Sequence, residues 1–131
     1  MNILIVDDNA LNRKVLIEYL APYGHCDVAT NGVDAVEQFE AELSTGSPYD
    51  LVLLDLMMPK MNGQNAMRSI RAIERQHRVS LREQAVIIIV TGVGAPEELL
   101  KTTDFDRNTG LLKKPVKQAE LLAKLKRHGI L

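Results

Sequence analysis

Three aspartates in this chain stand where apolar runs stop. Asp7 and Asp8 follow Ile3-Leu4-Ile5-Val6, and Asp55 follows Leu51-Val52-Leu53-Leu54. Short continuous apolar runs of this kind read as strands buried on both faces, the mark of a parallel sheet. In open α/β sheets the chemistry lies outside the carboxyl ends of the strands. If the two strands are neighbours, three carboxylates share one small pocket. Two unit charges ~4 Å apart repel by roughly 4 kcal/mol at an effective dielectric of about 20. Such a cluster demands protons or a cation, and a hard divalent ion suits all-oxygen ligands. A single aspartate after a strand is more often a turn or N-cap residue. Three of them, with Lys114 at a further strand end, weigh against that plain explanation, whereas Thr91 alone is more often a plain strand residue.

The elements that must position these residues alternate along the chain. Strands are expected near 2–6, 26–30, 51–54, 86–90 and 111–112. Helices are expected near 10–21, from Asn31-Gly32 through Leu43, and near 64–77, 96–103 and 117–128. Asn9 is a natural N-cap for the first helix, Pro22 and Gly24 are its stop signals, and Pro96 suits a first helical turn. Met67, Ile70 and Ile73 line one face of the third helix. Strict alternation implies an α/β fold of three layers, a five-stranded parallel sheet with five helices on its two faces. Right-handed crossovers leave few topologies. Strand order 2-1-3-4-5, the flavodoxin-like solution, sets strands 1 and 3 side by side, so that Asp7, Asp8 and Asp55 converge.

Composition excludes several classes. A length of 131 residues fits one domain, taken as 1–131. A net charge of -1 leaves no electrostatic footprint for nucleic acid or an anionic membrane. The basic group Lys124, Lys126, Arg127 and His128 closes the last helix, where cations complement the helix dipole. No apolar stretch reaches the ~20 residues of a membrane span. The single cysteine, Cys26, forms no internal disulfide and suits a reducing, cytoplasmic setting. His25, His77 and His128 lack metal-ligand spacing. Gly92-Val93-Gly94 lacks the remaining glycine spacing of a dinucleotide fingerprint.

Four separated motifs carry a resemblance. They are Asp7-Asp8 after strand 1, Asp55-Leu56-Met57-Met58-Pro59-Lys60-Met61-Asn62-Gly63 after strand 3, Thr91-Gly92 after strand 4 and Lys114-Pro115 after strand 5. Together they resemble the receiver domain of two-component response regulators, over the whole chain. The strand order is shared by flavodoxin and the chemotaxis receiver, so it is carried partly by this resemblance. Asp7-Asp8-Asn9-Ala10-Leu11-Asn12-Arg13 further resembles receivers attached to hybrid histidine kinases, which favours a receiver cut from a longer protein.

The resemblance implies Asp55 as phosphoacceptor, and a carboxylate is able to attack phosphorus. It implies a Mg²⁺ ion held by Asp8 and Asp55, by Asp7 through water, and by the backbone carbonyl of Met57. Lys114 and Thr91 would each meet a phosphoryl oxygen, and Pro115 resembles the family's cis-proline. Lys113, one residue from Lys114, turns to the opposite face of the strand. The implied donor is a histidine kinase or histidine-phosphotransfer protein, chosen by residues 11–14 and the first helix face. The implied output is a remodelled face of the fourth helix, fifth strand and fifth helix, through which many receivers dimerise. Leu111 stands where many receivers carry a switching aromatic, so the switch is expected to be muted or to use other residues. Asn62, in place of a frequent aspartate, is expected to be tolerated. Met57 would shield the phosphoryl group and Gly92 would open it, so its lifetime does not follow from the sequence.

Two other readings compete. A receiver that works as an interaction module without phosphate would not need Thr91, Lys114 and an intact acidic pocket. A free-standing phosphohydrolase would need an acid/base carboxylate two positions after Asp55, where Met57 stands. The expected protein is therefore not an enzyme beyond its own phosphorylation and dephosphorylation.

Overall fold

A computed structural model describes residues 1–92 and 108–131. Five strands pair into one parallel sheet: β1 (Asn2–Val6), β2 (His25–Ala29), β3 (Leu51–Asp55), β4 (Val86–Thr91) and β5 (Thr109–Lys113). Their order is β2-β1-β3-β4-β5, as expected from the alternation of elements together with the resemblance. Ile3 pairs with Leu51 and Val6 with Leu54, so β1 and β3 run in register to their carboxyl ends. Asp7-Asp8 and Asp55 are thereby delivered to one edge of the sheet.

Alternation along each strand divides the core into two layers. Leu4, Val6, Val52, Leu54, Ile87 and Ile89 face one side, with Ala35 and Phe39 of α2 (Gly32–Ser44) and Ala66, Met67, Ile70 and Ile73 of α3 (Gly63–Gln76). Ile3, Ile5, Leu51, Leu53, Val86 and Ile88 face the other, with Leu16 and Leu20 of α1 (Ala10–Leu20) and Leu121 and Leu125 of α4 (Gln118–Arg127). Each fully buried branched side chain contributes about 1.5–3 kcal/mol relative to exposure. Truncating Leu53, fully buried in the central strand, would cost about 2–5 kcal/mol.

Caps set the helix starts. Asn9, Asn31 and Asn62 each accept a hydrogen bond from the backbone N–H three residues on, at 3.0, 2.9 and 2.8 Å. This explains how Asn62 is accommodated: it is the N-cap of α3. The first helix stops in a short 3₁₀ turn, Ala21–Tyr23, around Pro22. Strand ends differ from the sequence expectation: β3 and β4 each run one residue further, to Asp55 and Thr91. β2 is shifted one residue earlier, and β5 spans five residues rather than two because Thr109, Gly110 and Lys113 join the ladder with Ile87, Ile88 and Thr91. Gly110, a residue depleted in strands, hid that extension. The helix expected at 96–103, with Pro96, lies outside the described residues, which hold four of the five expected helices.

Candidate functional site

The site is built from three of the loops that leave the carboxyl edge of the sheet. Asp7 leaves β1 and turns at once. Its Oδ1 accepts from the Asn9 N–H at 2.8 Å, and its backbone carbonyl accepts from the Arg13 guanidinium at 2.8 Å. Asp55 closes β3, and its Oδ1 accepts from the Met57 N–H at 3.3 Å. Both carboxylates are buried, at 2% and 5% exposure, whereas Asp8 is exposed. One oxygen from each of Asp7, Asp8 and Asp55 lies within 4.8 Å of the others.

Lys114 reaches into this cluster from the end of β5. Its Nζ lies 3.3 Å from Asp7 Oδ2 and 3.3 Å from Asp55 Oδ2, bridging the two buried carboxylates. Its backbone N–H donates to the Thr91 carbonyl at 2.6 Å, and the Lys114–Pro115 peptide is cis. Lys113 is exposed, as strand alternation requires. Thr91 is buried at the end of β4, one residue beyond Val90, the residue registered against Asp55. Met57 is half-exposed beside the cluster, and its N–H already leans on Asp55. Leu111 packs, partly buried, against the α2–α3 side of the core. The fourth-helix part of the expected output face lies outside the described residues, as does Gly94.

The electrostatics follow from burial and charge. Burial pushes the Asp55 carboxyl above the ordinary carboxylate range; Lys114 pulls it down and Asp7 pushes it up again. Burial alone would lower the Lys114 ammonium, but Asp55 and Asp7 outweigh it and hold it above the usual lysine value. Lys114 therefore serves the two buried carboxylates, and the exposed Asp8 adds a third negative charge beside them. Three hard oxygen donors converging on one point, with charge left uncompensated, fit Mg²⁺ or a similar divalent ion.

Two glycines hold the loop after β3 in place, and sequence reasoning missed their role. A Cβ on Gly63 would sit 2.6 Å from the Asp55 carbonyl oxygen, and one on Gly32 would sit 2.6 Å from that of Met61. The loop thus packs between the starts of α2 and α3. Lys60 takes a left-handed turn at its tip, with φ of 69°. A buried network at the opposite end of the sheet was also missed. Arg71 donates to Glu74 Oε1 at 2.7 Å, to the Ala85 carbonyl at 2.8 Å and to the Asn108 carbonyl at 3.0 Å. Glu74 Oε2 accepts from the Ala85 N–H at 2.8 Å. A mixed Arg/Glu pair on a helix reads in sequence as a solvated face, and only the fold reveals that it is buried.

Comparison with known proteins agrees with this geometry. The sequence profile of the response regulator receiver domain matches residues 3–126. The chain is 35% identical over 111 residues to the chemotaxis protein CheY of Bacillus subtilis, covering 80% of this chain and 88% of that one. It is 34% identical over 128 residues to hybrid signal transduction histidine kinase L of Dictyostelium discoideum, covering 97% of this chain but only 7% of the kinase. Among solved structures, the receiver domain of the histidine kinase CKI1 from Arabidopsis thaliana, complexed with Mg²⁺ and BeF₃⁻, is 27% identical with a TM-score of 0.72. That alignment covers 94% of this chain and 87% of that one.

Proposed function

The chain belongs to the response regulator receiver domain family, and from that membership we propose that it accepts a phosphoryl group on Asp55 from a phosphohistidine donor. The observation that carries this reading is the convergence of Asp7, Asp8, Asp55 and Lys114 on one point at the carboxyl edge of the sheet. An Asp55 carboxylate oxygen attacks phosphorus; the new O–P bond forms as the donor's N–P bond breaks, and the imidazole leaves with the bonding pair. Asp7, Asp8, Asp55 and the Met57 carbonyl would hold Mg²⁺, which neutralises charge on the phosphoryl oxygens when bound. Lys114 exchanges its contact with Asp55 for a phosphoryl oxygen, and the Thr91 hydroxyl donates to another. The protein would turn over no external substrate.

Its relatives in hybrid histidine kinases and chemotaxis support a histidine kinase or histidine-phosphotransfer protein as donor, and a downstream protein as target. No described helix is long and apolar enough to cross a membrane. A cytoplasmic setting agrees with that donor class. Incubation with acetyl phosphate and Mg²⁺, followed by intact-mass measurement, tests the reading. The wild type should gain one phosphoryl group and the Asp55→Asn variant none. Absence of labelling in the wild type would leave the phosphate-independent interaction module as the better account.

A further inference from the structure

The motif Asn9-x-x-Asn12-Arg13 is not used by the chemistry described so far, yet it wraps the loop that presents two of the three carboxylates. Asn9 donates its N–H to the Asp7 carboxylate and caps α1 through the Asn12 N–H. Arg13, one turn into α1, donates its Nη1 to the Asp7 backbone carbonyl at 2.8 Å. That carbonyl belongs to the Asp7–Asp8 peptide. Asp7 is held through its own side chain by Asn9 and Lys114. Asp8 is exposed, and among the described residues its carboxylate takes part in no hydrogen bond or ion pair given by the geometry. Its direction is therefore set by the backbone behind it, and Arg13 is the side chain that grips that backbone.

We infer that Arg13 is a positioning residue for the metal site: by pinning the Asp7–Asp8 peptide it aims the Asp8 carboxylate at the cluster. This rests on the proposed Mg²⁺ site. A guanidinium suits the task because its planar donors fix direction as well as distance. A charge-assisted hydrogen bond to a carbonyl is also stronger than a neutral one.

The sign of the effect separates positioning from simple electrostatics. A cation beside an acidic cluster opposes the binding of a second cation. If Arg13 acted only through its charge, Arg13→Ala would tighten Mg²⁺ binding. If it holds the peptide, Arg13→Ala weakens binding, by about tenfold, the lower range for residues that support metal ligands. Calorimetric titration of MgCl₂ into wild type, Arg13→Ala and Arg13→Lys, with the thermal midpoint of each metal-free protein, makes the test. The expected result is weaker binding in Arg13→Ala, partial recovery in Arg13→Lys, and metal-free midpoints within a few degrees of the wild type. Unchanged or tighter binding in Arg13→Ala overturns the inference, as does a loss matched by general unfolding in both variants. Failure of the wild type itself to bind Mg²⁺ would instead strike the underlying site.

Discussion

Lys114 sits equidistant from Asp55 and Asp7, with Nζ 3.3 Å from an oxygen of each, although 59 residues separate it from Asp55. The ammonium thus occupies the place between the two buried carboxylates that a divalent ion would also seek to neutralise. Removing it should act in opposite directions on the metal-free and metal-bound proteins. Lys114→Ala leaves Asp7 and Asp55 facing each other without a counter-charge. Breaking a buried pair costs about 3–5 kcal/mol, less here because Lys114 is partly exposed, so a loss on the order of 2 kcal/mol is expected without metal. Mg²⁺ should bind this variant more tightly than the wild type. Urea denaturation with and without MgCl₂ measures both effects, and a variant that gains no stability from Mg²⁺ contradicts the shared site.

Asp55 sets the pH dependence. Its carboxyl is raised above the ordinary range, chiefly by burial. The folded metal-free protein therefore holds a proton that the unfolded chain releases near pH 4. Stability contributed by this group is present below that pH and falls as the pH rises through the folded value. Asp55→Asn cannot ionise and escapes the loss. At pH 7 without metal the variant should melt higher than the wild type, by about 4 °C for each kcal/mol relieved. The gap should close below about pH 4. Thermal melts across pH decide this, and a gap that persists in acid would assign it to packing instead.

Gly63 illustrates a constraint of space alone. Its backbone angle is ordinary, so any residue could adopt the conformation. A Cβ, however, would meet the Asp55 carbonyl at 2.6 Å and the Leu56 Cα at 3.0 Å, both main-chain atoms that cannot swing aside. Gly63→Ala should cost about 1–3 kcal/mol, as overpacking does, and should displace the Asp55 backbone. Phosphorylation by acetyl phosphate should slow more than the stability loss explains. Wild-type labelling rates in Gly63→Ala would show that the loop yields without moving the acceptor.

The strong features of this chain were legible because they are local. Leu51 to Leu54 is a continuous apolar run, and a run of that kind is a buried strand in any α/β arrangement. The Lys113/Lys114 choice followed from the resemblance, which places the lysine immediately before proline, with alternation turning Lys113 to the opposite face. What was hidden depends on distant neighbours. Gly32 and Gly63 are ordinary helix-start glycines until the loop after β3 is packed against them. Gly110 lacks strand propensity and masks Thr109 before it, and pairing with Ile87 and Ile88 draws both into β5. Arg71 and Glu74 look solvated until β4 and β5 close over them.

That last pair supports a prediction away from the chemistry. Glu74 is 1% exposed and joins Arg71 to the Ala85 N–H, tying α3 to the start of β4. Arg71 extends the tie to Thr109 Oγ1 at the start of β5, 3.2 Å away. Glu74→Ala removes the carboxylate paired with the buried Arg71 guanidinium and the acceptor of the Ala85 N–H, and should cost about 3–5 kcal/mol. Replacing both residues with apolar side chains of similar volume should cost far less, because both charges leave the interior together. Since the network lies at the amino edge of the sheet and the carboxylates at the carboxyl edge, Mg²⁺ affinity of the folded Glu74→Ala protein should stay within about twofold of the wild type, as distant sites act independently. Denaturant curves and metal titrations on the single and double variants test the two halves of this expectation. An equal loss of stability in both variants would mean that specific hydrogen bonding, rather than a broken charge pair, makes the network matter.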